Sequence, residues 1–176
     1  MMRQVHQRCN PVDEQERNQN EVEMKKTRAM LERVPEGKQE YAPHEKSMHL
    51  GKLAAHIARL PELATYILEL PHLDFGEREM KPLVMESRQQ LLDEFNALVE
   101  KARMLIAGAE DAHWQQNWKL SFKGHTIAEQ PRFQMYRDVF LNHLIHHRAQ
   151  LGVYFRLQDI PLPATYGPSA DDRMGF

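Results

Sequence analysis

Residues 141–148, LNHLIHHR, carry His143, His146 and His147 inside a run that otherwise has the apolar period of one amphipathic helix. An α-helix turns by about 100° per residue, so Phe133, Tyr136, Phe140, His143, Leu144, His147, Leu151 and Tyr154 share one arc. Two imidazoles therefore fall on the face meant for burial. They are spaced by four, one turn apart, as two ligands of a single metal ion must be. His146 points to one side with Val139, Val153 and Leu157, a flank that reads as packing or a subunit interface.

Working outward, Pro131 opens this helix and the pattern carries it to about Gln158. Before it, the period holds from Pro82, placed in a first helical turn, through Leu91, Phe95, Ala102 and Ile106 to Gly108. A further helix starts near Met48 behind the N-cap Ser47 and presents Leu50, Leu53, Ala54, Ile57 and Ile67, with His56 on its flank. Pro61 has no N–H to give the Ile57 carbonyl, which predicts a kink or break one turn after His56. The first helix begins near Asp13 or Glu14 and stops at Pro35 and Gly37, while residues 1–20 are polar enough to read as a frayed or disordered leader. Between Ala109 and Gln130 the helical period is lost, and Trp118, Leu120 and Phe122 alternate with polar neighbours, as in a short extended piece or hairpin within a long functional connection. The Pro-rich tail after Ile160 reads as extended, lying on the surface or across a pocket. Four apolar-faced helices with little strand predict an all-α four-helix bundle, one domain over residues 21–176.

The 23 basic and 25 acidic residues are interspersed and the net charge is −2, which removes the electrostatic basis for binding nucleic acid or an anionic membrane. Cys9 has no internal partner, so a disulfide scaffold and a cysteine-rich zinc site are both excluded, and a reducing, cytoplasmic setting fits. No apolar run approaches the ~18 residues of a membrane span.

Neutral imidazole is a strong ligand for zinc, nickel, copper or iron, and three histidines with an open position form a catalytic arrangement. His143 and His147 supply two such ligands, and His56 supplies the third if its helix packs beside theirs. The alternative is that each imidazole is a core residue hydrogen-bonded to a carbonyl or a neighbour. His49 lies two turns before His56, about 10 Å away along the helix, so the two cannot share an ion. It reads as a surface residue, and His6, His44, His72, His113 and His125 read as solvated leader or loop side chains. The residue after His143 is Leu144, not glutamate, so the zinc-protease helix motif is absent. Ser47, Ser87, Ser121 and Ser169 lack the strained turn of a nucleophilic serine.

Three segments, 46–57 KSMHLGKLAAHI, 142–151 NHLIHHRAQL and 160–171 IPLPATYGPSAD, give the chain a resemblance to the DinB/YfiT-like family of metal-binding helical bundles. The resemblance implies an up-down-down-up four-helix bundle, a nickel or zinc ion held by His56, His143 and His147, and a homodimer. It also implies a metal-dependent enzyme that activates a low-molecular-weight thiol, or water, for transfer to or hydrolysis of a small molecule. A non-enzymatic, metal-stabilised dimeric binding or stress-response module is the alternative.

Overall fold

The computed structural model describes residues 11–78 and 81–174. Helix α1 (Pro11–Leu31) opens the described chain, so the part of the expected leader from Pro11 to Asn20 is helical and Asn20 is buried; residues 1–10 lie outside the described residues. Helices α2 (Leu50–Arg59) and α3 (Pro61–Glu69) follow, then strand β1 (His72–Asp74), the long helix α4 (Arg88–Gly108) and a single turn α5 (Asp111–Trp114). Strands β2 (Asn117–Phe122) and β3 (His125–Pro131) lead into one helical run, made of α6 (Arg132–Met135), a π-helical segment (Tyr136–Leu141) and α7 (Asn142–Leu157).

The expectation of an all-α four-helix bundle is corrected on two counts. A three-stranded mixed sheet of order β1-β2-β3 is built into the fold, with β1 parallel to β2 and β2 antiparallel to β3. Two of the expected helices are also interrupted. Pro61 divides one into α2 and α3, with the Leu60 amide still bonded back to His56 and Ile57 and the proline at the first position of α3. The π segment interrupts the last helix. Its wider turn slips the phase of the helix, so upstream of it Arg132 and Met135 are buried where the 3.6-residue period had placed Phe133.

Two helix starts also differ from expectation. Helix α2 is capped at His49 without a side-chain bond, because the preceding loop folds back and the carbonyls of Tyr41 and Gln39 take the Leu50 and Gly51 amides at 2.8 and 2.9 Å. Ser47 is therefore not needed as a cap. Helix α4 starts six residues after Pro82, where Ser87 Oγ accepts from the Gln90 amide, which leaves 81–86 without regular secondary structure.

The core gathers Leu31 and Val34 after α1, Leu53 and Ile57 of α2, Leu91 and Phe95 of α4, and Phe140, Leu144, Leu151 and Phe155 of the last run, all nearly inaccessible. The sheet closes over the end of α3. Trp118 Nε1 donates to the Leu70 carbonyl at 3.1 Å, and the buried Arg132 guanidinium donates to the carbonyls of Ile67 and Leu70. Among the described residues no helix is long and apolar enough to cross a membrane.

Candidate metal centre

Helix α2 packs beside α7, and this brings His56 against His143 and His147. His56 Nε2 lies 3.3 Å from His143 Nε2, which lies 2.8 Å from His147 Nε2. One nitrogen from each ring falls within 4.8 Å of the others, and among the described residues no carboxylate or thiol joins this group. Two nitrogens about 2.0–2.1 Å from one zinc at tetrahedral angles are about 3.4 Å apart, so the set has the reach and donor type of a site that could hold a metal ion.

The outer nitrogens fix the tautomers. His143 Nδ1 is 3.3 Å from the Val139 carbonyl, and His147 Nδ1 is 2.8 Å from Gln150 Oε1. Both oxygens only accept, so each Nδ1 carries the proton and each Nε2 of a neutral ring presents its lone pair inward. This is also how metal-bound histidines are oriented by the groups behind them. Electrostatics keep the rings neutral. Burial first, then the charges of His147, His143 and Lys52, push His56 down to about 4. His143 is lowered by burial and by His147, with the bond to Val139 opposing, and His147 is lowered chiefly by burial. At neutral pH all three are in the form that binds a cation.

The other histidines separate from this cluster. His146 is exposed and touches only the edge of it, its ring 4.9 Å from that of His147. His49 is exposed beside Glu40, and His44, His72 and His125 are exposed as expected. His113 departs from the solvated reading, since it is half-buried with Nε2 2.8 Å from the Leu68 carbonyl. His6 lies outside the described residues.

A cavity of about 290 Å³ opens onto His56 and His143. Its remaining walls come from α2, α3 and the segment between β1 and α4, including Phe75, Lys81 and Leu83. These last residues carried no signal in the sequence, because a connection without period gives no indication of which helix face it will cross. Lys52, one turn before His56, was the part that spacing could have found. The Pro-rich tail contributes nothing to this cavity. It lies instead along α1 and α7, where Tyr166 reaches Glu23 and Arg148, and Asp171 pairs with Arg156 at 2.7 Å.

The sequence profile of the DinB family matches residues 9–173, and the chain belongs to that family. No curated protein matches it. Solved structures share its fold, among them two DinB-like proteins. A DinB-like protein from Bacillus subtilis superposes with a TM-score of 0.62 at 18% identity, covering 84% of this chain and 96% of that one. A DinB-like protein from Bacillus cereus ATCC 10987 gives a TM-score of 0.64 at 18% identity, covering 85% and 94%.

Proposed function

We propose that His56, His143 and His147 hold one divalent ion, nickel or zinc, in a metal-dependent enzyme acting on a small molecule. The observation that carries this reading is the pair of inward Nε2 atoms of His143 and His147 at 2.8 Å, with both Nδ1 protons committed outward. Two lone pairs so close repel each other unless a cation lies between them. A divalent ion would supply acidification of a thiol or water near neutral pH, which turns either into a nucleophile. The chain's own residues would do the rest. Val139 and Gln150 orient two of the rings, and the cavity beside His56 and His143 leaves room for a reactant at the open side of the cluster. That opening favours an enzyme over a structural ion closed by a fourth protein ligand. Transfer of a low-molecular-weight thiol to an electrophile is the first reading and hydrolysis the second.

Metal analysis of tag-free protein tests the ligand set. About one equivalent is expected in the wild type, and at least a tenfold loss of affinity in His143→Ala and His147→Ala. Unchanged metal in both variants would end the assignment. A panel of thiols and electrophiles, run with and without metal, tests the chemistry; full occupancy without turnover of any pair would favour the metal-stabilised binding module. A homodimer belongs to the same proposal, supported by exposed Val153 and Leu157 on the outer side of α7. Sedimentation of the wild type and of Val153→Lys is its test, with dissociation expected in the variant.

A further inference from the structure

The cavity beside the histidines has walls of two kinds, and their arrangement bears on what it takes in. At about 290 Å³ it is roughly twice the ~150 Å³ that accommodates a benzene ring. Leu60, Leu63, Phe75 and Leu83 make one wall apolar. The charged lining is Lys52, Arg59, Glu62 and Lys81. Arg59 and Glu62 are paired with each other, since Arg59 Nη2 donates to the Glu62 carboxylate while Nη1 donates to the Lys81 carbonyl, and Arg59 Nε, which makes no hydrogen bond, lies 4.0 Å from the Glu94 carboxylate. Among the described residues Lys52 and Lys81 have no carboxylate partner. Once that pair is set aside, the charged lining of the cavity is two exposed lysines and no unpaired carboxylate, in a chain whose net charge is −2.

Lys52 and Arg59 bracket the histidine on α2. Lys52 precedes His56 by four residues on α2, and Arg59, which holds the Lys81 backbone, follows it by three. Residues at these spacings are neighbours on one helix face, about 5–6 Å apart at Cβ. An anion held at Lys52 thus lies about one helical turn from His56, with Lys81 on the same cavity lining, while an apolar body rests on Leu60, Leu63, Phe75 and Leu83.

We propose that this cavity binds a small carboxylate with an apolar body, its anionic end on Lys52 and Lys81 and its body against the leucine and phenylalanine wall. The proposal rests on the reading of the histidine cluster as the reaction centre for its place in catalysis, but the binding it describes requires no metal. The test accordingly uses the full-length protein freed of metal by a chelator, so that a carboxylate cannot report on a bound ion. Calorimetric titration compares 4-phenylbutyrate with its neutral isostere 4-phenylbutanamide at low ionic strength, for the wild type and for Lys52→Met, Lys81→Met and the double variant.

A charge-assisted contact to a partly screened ammonium predicts that the wild type prefers the acid by about tenfold. Each single variant should lose about threefold of that preference, and the double variant should bind acid and amide alike. All the lysines involved are exposed, so the variants should fold, which circular dichroism checks. Equal binding of acid and amide by the wild type, a preference unchanged in the double variant, or no binding of either probe would overturn the proposal. Metal uptake by the double variant, measured separately, keeps the two readings apart. An intact anion preference in a protein that takes up no metal would refute the metal centre alone, and metal uptake without the preference would refute this inference alone.

Discussion

Gln150 is the side chain through which the histidine cluster can be adjusted without removing a ligand. It sits three residues after His147 on α7 and accepts the Nδ1 proton at 2.8 Å, which aims the Nε2 lone pair inward. Replacing it with leucine keeps the helix but frees the ring to rotate and to exchange tautomers. Loss of a partner behind a metal-bound histidine typically weakens the metal by about 10–100-fold. Competition with a coloured chelator should show a loss at the lower end of that range for Gln150→Leu, because the contact is exposed. His143 is oriented by the backbone carbonyl of Val139, beyond the reach of substitution, and should keep the site from collapsing entirely. The pH dependence of the metal-free protein follows from His56. Its folded value of about 4 lies below the ~6.5 of an unfolded histidine. Between those limits the unfolded chain binds a proton that the folded one does not, so the unfolding free energy rises with pH across the window. Lowering the pH from about 6.5 should therefore lower the urea midpoint, with this contribution levelling off once folded His56 also protonates. The fall should be smaller in His56→Gln. An equal fall in both proteins would place the titration on other groups.

Among the elements, the short strand β1 has an importance out of proportion to its three residues. Asp74, at its end, accepts from the amides of Gly76, Lys123 and Gly124 and from Ser121 Oγ, all within 2.9 Å. Lys123 and Gly124 form the two-residue β2–β3 turn with φ of 49° and 78°, and a carboxylate on a neighbouring strand holds that turn in place. Gly76 fits here because a Cβ would stand 2.6 Å from the Lys123 nitrogen. The Gly124 amide first, then the Gly76 amide, the Ser121 hydroxyl and the Lys123 amide, outweigh the opposing effect of burial and hold the Asp74 carboxyl down to about 2. Its stabilising contribution is complete above the ~3.9 of an unfolded aspartate and is lost as the pH falls through about 2. Hydrogen exchange at the Lys123 and Gly124 amides should accelerate in Asp74→Ala at neutral pH; unchanged protection would show that the turn holds itself. The part played by β1 and Asp74 was not legible beforehand. His72, Leu73 and Asp74 are too few to show a period, and their partner β2 lies more than forty residues away, so only the alternation of Trp118, Leu120 and Phe122 betrayed the hairpin. The helices were legible because Leu53, Ile57, Leu91, Phe95, Leu144 and Leu151 repeat at 3.6 residues, a signal generated locally. The same signal placed His143 and His147 together. That His56 joins them depended on α2 packing beside α7, a tertiary fact that no local pattern contains.

At the scale of the whole molecule, the first and last parts of the described chain are joined through one buried ion pair on the side of α7 away from the histidine cavity. Arg148 and Glu23 have side chains 3% and 0% exposed, and their Nη2 and Oε2 atoms are 2.5 Å apart. Arg148 also donates to the Glu23 carbonyl and to Thr27 Oγ1, each at 3.0 Å, which ties α7 to α1 at two levels. The tail completes the arrangement. Tyr166 OH donates to Glu23 at 2.8 Å, and Lys26 lies 3.7 Å above the Tyr166 ring, so the tail is fastened over the pair. A well-bonded buried pair of this kind is costly to break rather than strongly stabilising in itself, because the partner left behind keeps its charge away from water. Arg148→Met should thus lower the unfolding free energy by about 3–5 kcal/mol, a large share of the ~5–15 kcal/mol typical of a domain. Glu23→Leu combined with Arg148→Met removes both charges and should restore much of that loss, which a double-mutant cycle in urea would read directly. Tyr166→Phe removes a hydroxyl that donates to Glu23 and accepts from Arg148 but leaves the pair itself intact, and should cost only about 1–3 kcal/mol. If the double variant were no more stable than Arg148→Met, the penalty would lie in lost packing of the guanidinium stem between α1 and α7 rather than in a stranded carboxylate.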